Sequence, residues 1–310
     1  MAILSASRRT DIPTYYGEWF VNRLKEGFFM TRNPYNNKLS KTLFRKEDID
    51  CIVFWTKNPI PFIKYLPDIK DYPYYFQFTV TGYGRDMEEN VPDTERAVRA
   101  FKELHDNGNG HIIWRYDPIV FTDKYTPEWH IEAFRRFAEA LRPYTDRCVI
   151  SFVDGYAHIA KGMVSPLNSG IDLETFCKEL ASTAKKNDID MYTCAEVVDL
   201  AACGIKKGKC IDGDYIQEIT GKVIGLGKDK GQREACGCIE SVEVGAYNTC
   251  QNGCKYCYAC TDKQKTENCM KRYDPKSPVL CDTIHEDETY SEKKLKSFAR
   301  DPESEQLALF

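Results

Sequence analysis

IIWRYDPIVFTDKYTPEWHIEAFRRFAEAL, residues 112–141, contains one complete strand–loop–helix unit. Ile112–Tyr116 is an almost unbroken apolar run, the pattern of a strand buried on both faces. Thr126 suits an N-cap and Pro127 the first helical position, so a helix begins there. Ile131, Phe134, Phe137, Ala138 and Leu141 then recur at helical spacing and give that helix one apolar face. The same rhythm runs on either side. It predicts strands at Ile3–Ala6, Cys51–Trp55, Tyr75–Thr81, Val149–Phe152 and Met191–Cys194. Between them it predicts helices at Gly17–Lys25, Thr94–Asn107 and Leu173–Asn187. Repeated strand–helix units imply an α/β fold with a parallel sheet, and this many favour a (β/α) barrel, TIM-like, full or partial. The stretch from Phe28 to Phe44 breaks the rhythm and reads as a β-hairpin insertion.

Polar residues gather just after the expected strands. Arg8, Arg9, Thr10 and Asp11 follow the first strand and Lys57 and Asn58 the second. Asp117, then Asp154 and Tyr156, then Glu196 follow the later ones. In a barrel the chemistry sits at the carboxyl ends of the strands, so these residues are expected to line a pocket. Each of them alone reads equally well as a solvated turn or cap; recurrence at one end is what favours a site. Arg8, Arg9 and Lys57 suit anionic groups. Asp117, Asp154 and Glu196 suit an amino group, ribose hydroxyls or acid–base work.

The chain has 310 residues, 42% of them hydrophobic, enough for one large core or two modest ones. A net charge of −4 without a dominant Lys/Arg run gives no strong nucleic-acid signal. Apolar stretches fall well short of the ~20 residues that span a bilayer, and MAILSASRRTD has no signal-peptide layout. A cytoplasmic protein without membrane partners is expected. The pattern divides the chain into a body at 1–204, a Cys-rich metal-binding segment at 205–281 that completes the barrel, and a charged tail at 282–310. The tail reads as mobile except for Leu307–Phe310, which can dock on the body.

Fourteen cysteines are many for a chain neither small nor visibly exported, and in a reducing cytosol dense cysteines point to metal. Cys51 and Cys148 sit in apolar runs and read as ordinary buried residues. The other twelve lie between Cys177 and Cys281. Residues 240–260 read ESVEVGAYNTCQNGCKYCYAC, with Cys250, Cys254 and Cys257 spaced C-x3-C-x2-C. Three thiolates on one tight loop suit a [4Fe–4S] cluster and leave one iron open. Gly253 lets the loop turn back, and Tyr256, with Asn248 nearby, is placed to cover a cofactor. Cys260 is a candidate fourth ligand that would close the site. Cys194, Cys210, Cys236 and Cys238 offer four thiolates for a second site, an iron–sulfur cluster or zinc. The plain alternative is that these are buried, unliganded thiols.

The C-x3-C-x-Tyr-C spacing resembles the signature of the radical S-adenosylmethionine enzymes. Across the chain, ILSASRRTDIP, FWTKNP, WRYDPI, SFVD, CGC and GAYNTCQNGCKYCYA resemble a prokaryotic family known only as a domain of unknown function. That family is noted for a C-terminal cysteine cluster like that of the radical enzymes. The resemblance implies S-adenosylmethionine on the open iron, its reductive cleavage and hydrogen abstraction from a small-molecule substrate. It also implies a reducing donor such as a flavodoxin or ferredoxin. The loop normally follows the first strand; here it lies near the other end. If Ser241–Ala246 is the last strand and lies beside the first, the loop faces the same mouth as Arg8, Arg9 and Asp11. The competing expectation is a non-enzymatic [4Fe–4S] electron-transfer or redox-sensing protein, fully ligated through Cys260. A third is a zinc-stapled binding module.

Overall fold

A computed structural model describes residues 2–154 and 162–302. Tyr156 and Leu307–Phe310 lie outside the described residues. The chain begins β1 (Ile3–Ala6), α1 (Ile12–Tyr15), α2 (Gly17–Glu26), β2 (Phe28–Arg32), β3 (Leu39–Leu43) and β4 (Cys51–Thr56). It continues α3 (Ile60–Ile63), α4 (Leu66–Ile69), β5 (Tyr74–Thr79), α5 (Thr94–Asn107), β6 (Ile112–Ile119), α6 (Pro127–Leu141) and β7 (Arg147–Phe152). Then follow α7 (Leu173–Lys186), β8 (Asp190–Cys194), β9 (Lys206–Gly208), α8 (Gly213–Thr220) and β10 (Val223–Ile224). The last elements are β11 (Val242–Glu243), α9 (Lys263–Lys271), β12 (Tyr290–Lys294) and β13 (Ala299–Arg300).

Eight strands form one parallel sheet in the order β11-β1-β4-β5-β6-β7-β8-β9. The longer helices begin where the capping logic puts them. Asp93, Thr126 and Asp172 accept hydrogen bonds from the backbone N–H groups of Arg96, Trp129 and Thr175. Because side chains alternate across a strand, the sheet has two apolar faces. Leu4, Ile52, Phe54, Phe76, Phe78, Trp114 and Ile150 face the helices and form the main core. Phe54 stacks on Phe76 at 4.7 Å and Trp114 on Phe134 at 4.8 Å; truncating such a ring costs about 3–5 kcal/mol. Ile3, Cys51, Val53, Tyr75, Ile113 and Val149 face the other way, onto Cys210, Ile211, Tyr215, Ile216, Cys236, Cys238 and Ile239. Residues after β9 therefore cover the face of the sheet opposite the long helices.

The architecture is an α/β fold with a large parallel sheet, and among the described residues no ladder joins β9 to β11 to close it. The last strand does lie beside the first: Leu4 pairs with Val242 and Ser5 with Glu243, in parallel. Strand β6 runs past its expected end at Tyr116 to Ile119, with an irregular register between them.

Phe28 to Phe44 is a hairpin, β2 against β3. The tail departs from expectation. It is held from Asp282 to Arg300, with β12 added in parallel to β3 and β13 paired with β10. Its charged composition hides the reason, which is Arg32. The guanidinium donates to Asp282 at 2.6 Å and to both oxygens of Glu288 at 2.5 and 3.1 Å. Ser297 Oγ and the Phe298 N–H add bonds to Asp50 at 2.5 and 2.8 Å.

Among the described residues no helix is long and apolar enough to cross a membrane.

Candidate functional site

The carboxyl end of β1 meets those of β4 and β11 at one carboxylate. Asp11 Oδ1 accepts from the Thr14 N–H at 3.0 Å and so caps α1. Its Oδ2 accepts from the Lys57 N–H at 2.8 Å and from Asn252 Nδ2 at 3.0 Å. Burial pushes this carboxyl above its ordinary value, against those hydrogen bonds. Asp11 thus ties the first loop, the second loop and the cysteine loop together.

Beside it lies a buried ion pair that sequence reading missed in part. Lys57 Nζ sits 2.8 Å from Glu88 Oε1, which also accepts from Thr81 Oγ1 at 2.9 Å and from the Tyr256 hydroxyl. Burial, the largest effect, would lower Lys57, but Glu88, by charge and hydrogen bond, together with Cys254 and Asp117 holds it above the ordinary lysine value. The segment around Glu88 also pairs with the cysteine loop through its backbone. The Lys255 N–H donates to Met87 O at 3.0 Å and the Asn90 N–H to Asn252 O at 3.0 Å. Nothing in the local sequence RDMEEN marks Glu88, because its partners lie far away in the chain.

The cysteine loop closes on itself through Asn248, whose N–H donates to Ala259 O at 2.9 Å and whose Oδ1 accepts from the Thr261 N–H at 3.1 Å. Asn248 therefore shapes the loop. Gly253 has φ +66°, and a Cβ there would stand 2.9 Å from Glu89 Cβ, so glycine is required. Tyr256 is buried against Tyr83, Met87, Val120, Tyr125 and Val153, next to Cys254. The Cys260 thiol is within hydrogen-bonding reach of both Cys250 and Cys257. The Cys250 contact and burial push it up to about 11, against the contact with Cys257. Cys254 lies towards Lys57 and Glu88, and burial raises it well above an ordinary thiol. A cavity of about 410 Å³ opens onto Cys250, Cys254 and Cys260.

The expected likeness to the radical enzymes' cluster does not hold here. Among the described residues no group of three or more His, Cys, Asp and Glu side chains is placed to hold a metal ion. The reason is local. Thiols of the loop lean on one another through Cys260, while Cys254 turns to the Lys57–Glu88 pair. Three thiols presented around one vacant corner are not what the loop displays.

The remaining mouth residues converge, but each is engaged by the protein itself. Arg8 Nη2 donates to Ser241 Oγ at 3.2 Å, and its Nε lies 3.6 Å from Glu243. Arg9 lies over the Tyr247 ring at 4.6 Å. Asp117 accepts from Arg115 and Ser151; burial opposes its charge, yet Arg115 holds it below the ordinary carboxylate value. Asp154 pairs with Arg233 at 2.6 Å. Glu196 accepts from the Phe152 N–H at 2.8 Å and is raised to about 7, chiefly by burial and next by the nearby Asp154 and Asp117.

The four cysteines of the expected second site also come together. Cys194 and Cys210 sulfurs are 2.8 Å apart, Cys238 is in hydrogen-bonding reach of Cys210, and Cys236 of Cys238. Arg115, unforeseen as a site residue, donates from Nη1 to Cys210 Sγ at 2.9 Å. An arginine inside the apolar run IIWRY was the available signal, since a buried charge requires partners.

No curated protein matches the chain. A family profile described as a domain of unknown function, DUF1848, matches residues 3–259, from β1 through Cys250, Cys254 and Cys257. The chain belongs to the DUF1848 family.

Proposed function

We propose that the chain is a redox protein that passes or senses electrons through the Cys250–Cys260 loop. The observation that carries this is Cys260, whose thiol reaches both Cys250 and Cys257. Four thiols on one short loop, beside a cavity of about 410 Å³, suit an iron–sulfur cluster in kind and number. Among the described residues these thiols are not gathered to hold an ion, so the loop would have to draw in around the cluster as it binds. Cys250, Cys254, Cys257 and Cys260 would hold it, and it would supply single-electron transfer. The protein's own part is to bury and steady that loop. Asp11 and Asn252 fix its base, Asn248 closes it, and the Lys57–Glu88–Tyr256 set covers Cys254.

The mouth supports the same reading over an enzyme that grips an anion. Arg8 and Lys57 are already paired with Glu243 and Glu88. Reductive cleavage of S-adenosylmethionine would need one iron free of protein thiolate, and Cys260 stands against that. The test is anaerobic reconstitution with iron and sulfide, with electron paramagnetic resonance of the reduced protein. The expected result is about four irons and four sulfides per chain, lost when all four cysteines become Ala, and a signal that S-adenosylmethionine leaves unchanged. Iron content that survives the quadruple change overturns the assignment. A signal altered by S-adenosylmethionine, with 5′-deoxyadenosine formed, replaces it with the enzyme reading.

A further inference from the structure

Away from that loop, on the face of the sheet opposite the long helices, Cys194 ends β8 and Cys210 follows β9. Their sulfurs are 2.8 Å apart. Four thiolates around zinc, each about 2.3 Å from the metal, stand roughly 3.8 Å from one another. The observed contact is far tighter than that, and closer to the ~2.05 Å of a disulfide. We propose that Cys194 and Cys210 form a redox-active dithiol, oxidised by a hydroperoxide to a disulfide that ties β8 to the segment filling the sheet.

The surroundings suit that chemistry. Arg115 donates to Cys210 Sγ at 2.9 Å and is in hydrogen-bonding reach of Cys194, so one guanidinium faces both sulfurs. The guanidinium holds the two sulfurs against each other, the approach that closing a disulfide needs. Arg115 is itself fixed by Asp117 and Gln77. Cys210 is held by its backbone: the Tyr75 hydroxyl and Gln77 Nε2 donate to its carbonyl at 2.6 and 2.9 Å. Cys194 is the more exposed of the two and takes the oxidant first. Its sulfur attacks one peroxide oxygen and becomes a sulfenic acid. The O–O bond breaks, and the other oxygen leaves as water or alcohol with the thiol proton. Cys210 then attacks the sulfenic sulfur, the S–O bond breaks, and the hydroxyl leaves as water with the Cys210 proton. Two thiols and one hydroperoxide give one disulfide, and the two electrons lost by sulfur reduce the O–O bond. Cys238, in contact with Cys210, is placed to reopen the bond by exchange and transfer the oxidation towards Cys236.

The experiment uses the full chain, purified anaerobically and treated with one equivalent of hydrogen peroxide. Remaining thiols are alkylated and tryptic peptides mapped by mass. Lys206, Lys207 and Lys209 separate the two cysteines, so the disulfide appears as two linked peptides. Expected are the linked pair in wild type, its loss in C194S and in C210S, and at least tenfold slower formation in R115Q. It should also form in the protein lacking all four loop cysteines, which separates this inference from the function proposed above. Wild-type peptides with Cys194 and Cys210 both alkylated after peroxide overturn the proposal. So does a stoichiometric metal ion whose removal by chelator is needed before either thiol reacts.

Discussion

Changing Glu88 to Gln tests whether the Lys57–Glu88–Tyr256 set holds the cysteine loop. Glu88 is 3% exposed and Lys57 12%, so water does little to screen the pair. Gln keeps the shape and an oxygen acceptor for Thr81 and Tyr256, but removes the charge opposite Lys57. Breaking a buried pair from one side costs about 3–5 kcal/mol, because an ammonium is left desolvated. The introduced amide retains part of the hydrogen bonding, so the expected loss is at the low end, about 3 kcal/mol. At roughly 2 °C per kcal/mol for a chain of this size, the melting temperature falls by about 6 °C. The K57M/E88Q double variant removes both charges and should recover at least half of that loss. Circular dichroism melts and urea titrations give the two numbers, and alkylation of Cys254 should quicken in E88Q alone. A loss under about 1 kcal/mol, or a double variant no better than the single, refutes the argument that this pair is electrostatically buried.

Two further perturbations follow from named contacts. Replacing Arg32 with Ala removes the bonds to Asp282 and Glu288 that pin the tail, Glu288 being held down to about 2 mainly by that guanidinium. Limited proteolysis should then cut between residues 283 and 300 several-fold faster while the body melts almost unchanged; equal cutting rates would show that β12 holds by itself. Glu196 keeps its proton up to about pH 7 when folded, against an ordinary value near 4.5. Between these values the unfolded chain binds fewer protons than the folded one, so stability falls as pH rises from about 4.5 to 7 and levels off above. E196Q, which still accepts from the Phe152 N–H, should lack that decline, as read from urea midpoints at pH 5, 6, 7 and 8. Parallel curves for wild type and E196Q would sink the assignment.

The sheet was readable because its information is local. Each of CIVFW, IIWRY and CVISF is buried on both faces, and a helix with its own cap follows Thr126 or precedes Asn187. The placement of β11 beside β1 was also legible, since a strand before the cysteine loop had one vacant edge to join. Closure was not: it depends on what covers the second face of the sheet, where residues 209–239 contribute one short helix, α8, the two-residue strand β10 and otherwise irregular chain. The tail misled because SEKK is charged and exposed, and its pairing partner β3 lies far away in sequence. The residues just before SEKK are bonded to Arg32, roughly 250 residues away in sequence.

The same separation of partners explains why the mouth reads differently in three dimensions. Arg8, Lys57 and Asp117 look like ligand-binding groups when listed by strand end, since each is a charge at the right position. Their neutralising partners are Glu243, Glu88 and Arg115. Two of these lie in other elements, and Arg115 is hidden inside an apolar strand. A buried charge next to its counter-charge has no further demand for an anion or cation from outside. Thiols obey no such pairing rule. Two cysteines in contact keep their chemistry, because their next partner is an electron acceptor or a metal rather than a counter-ion. Among the described residues, reactivity is therefore to be sought first at two groups of thiols, one beside Lys57 and the other beside Arg115, before the charged rim.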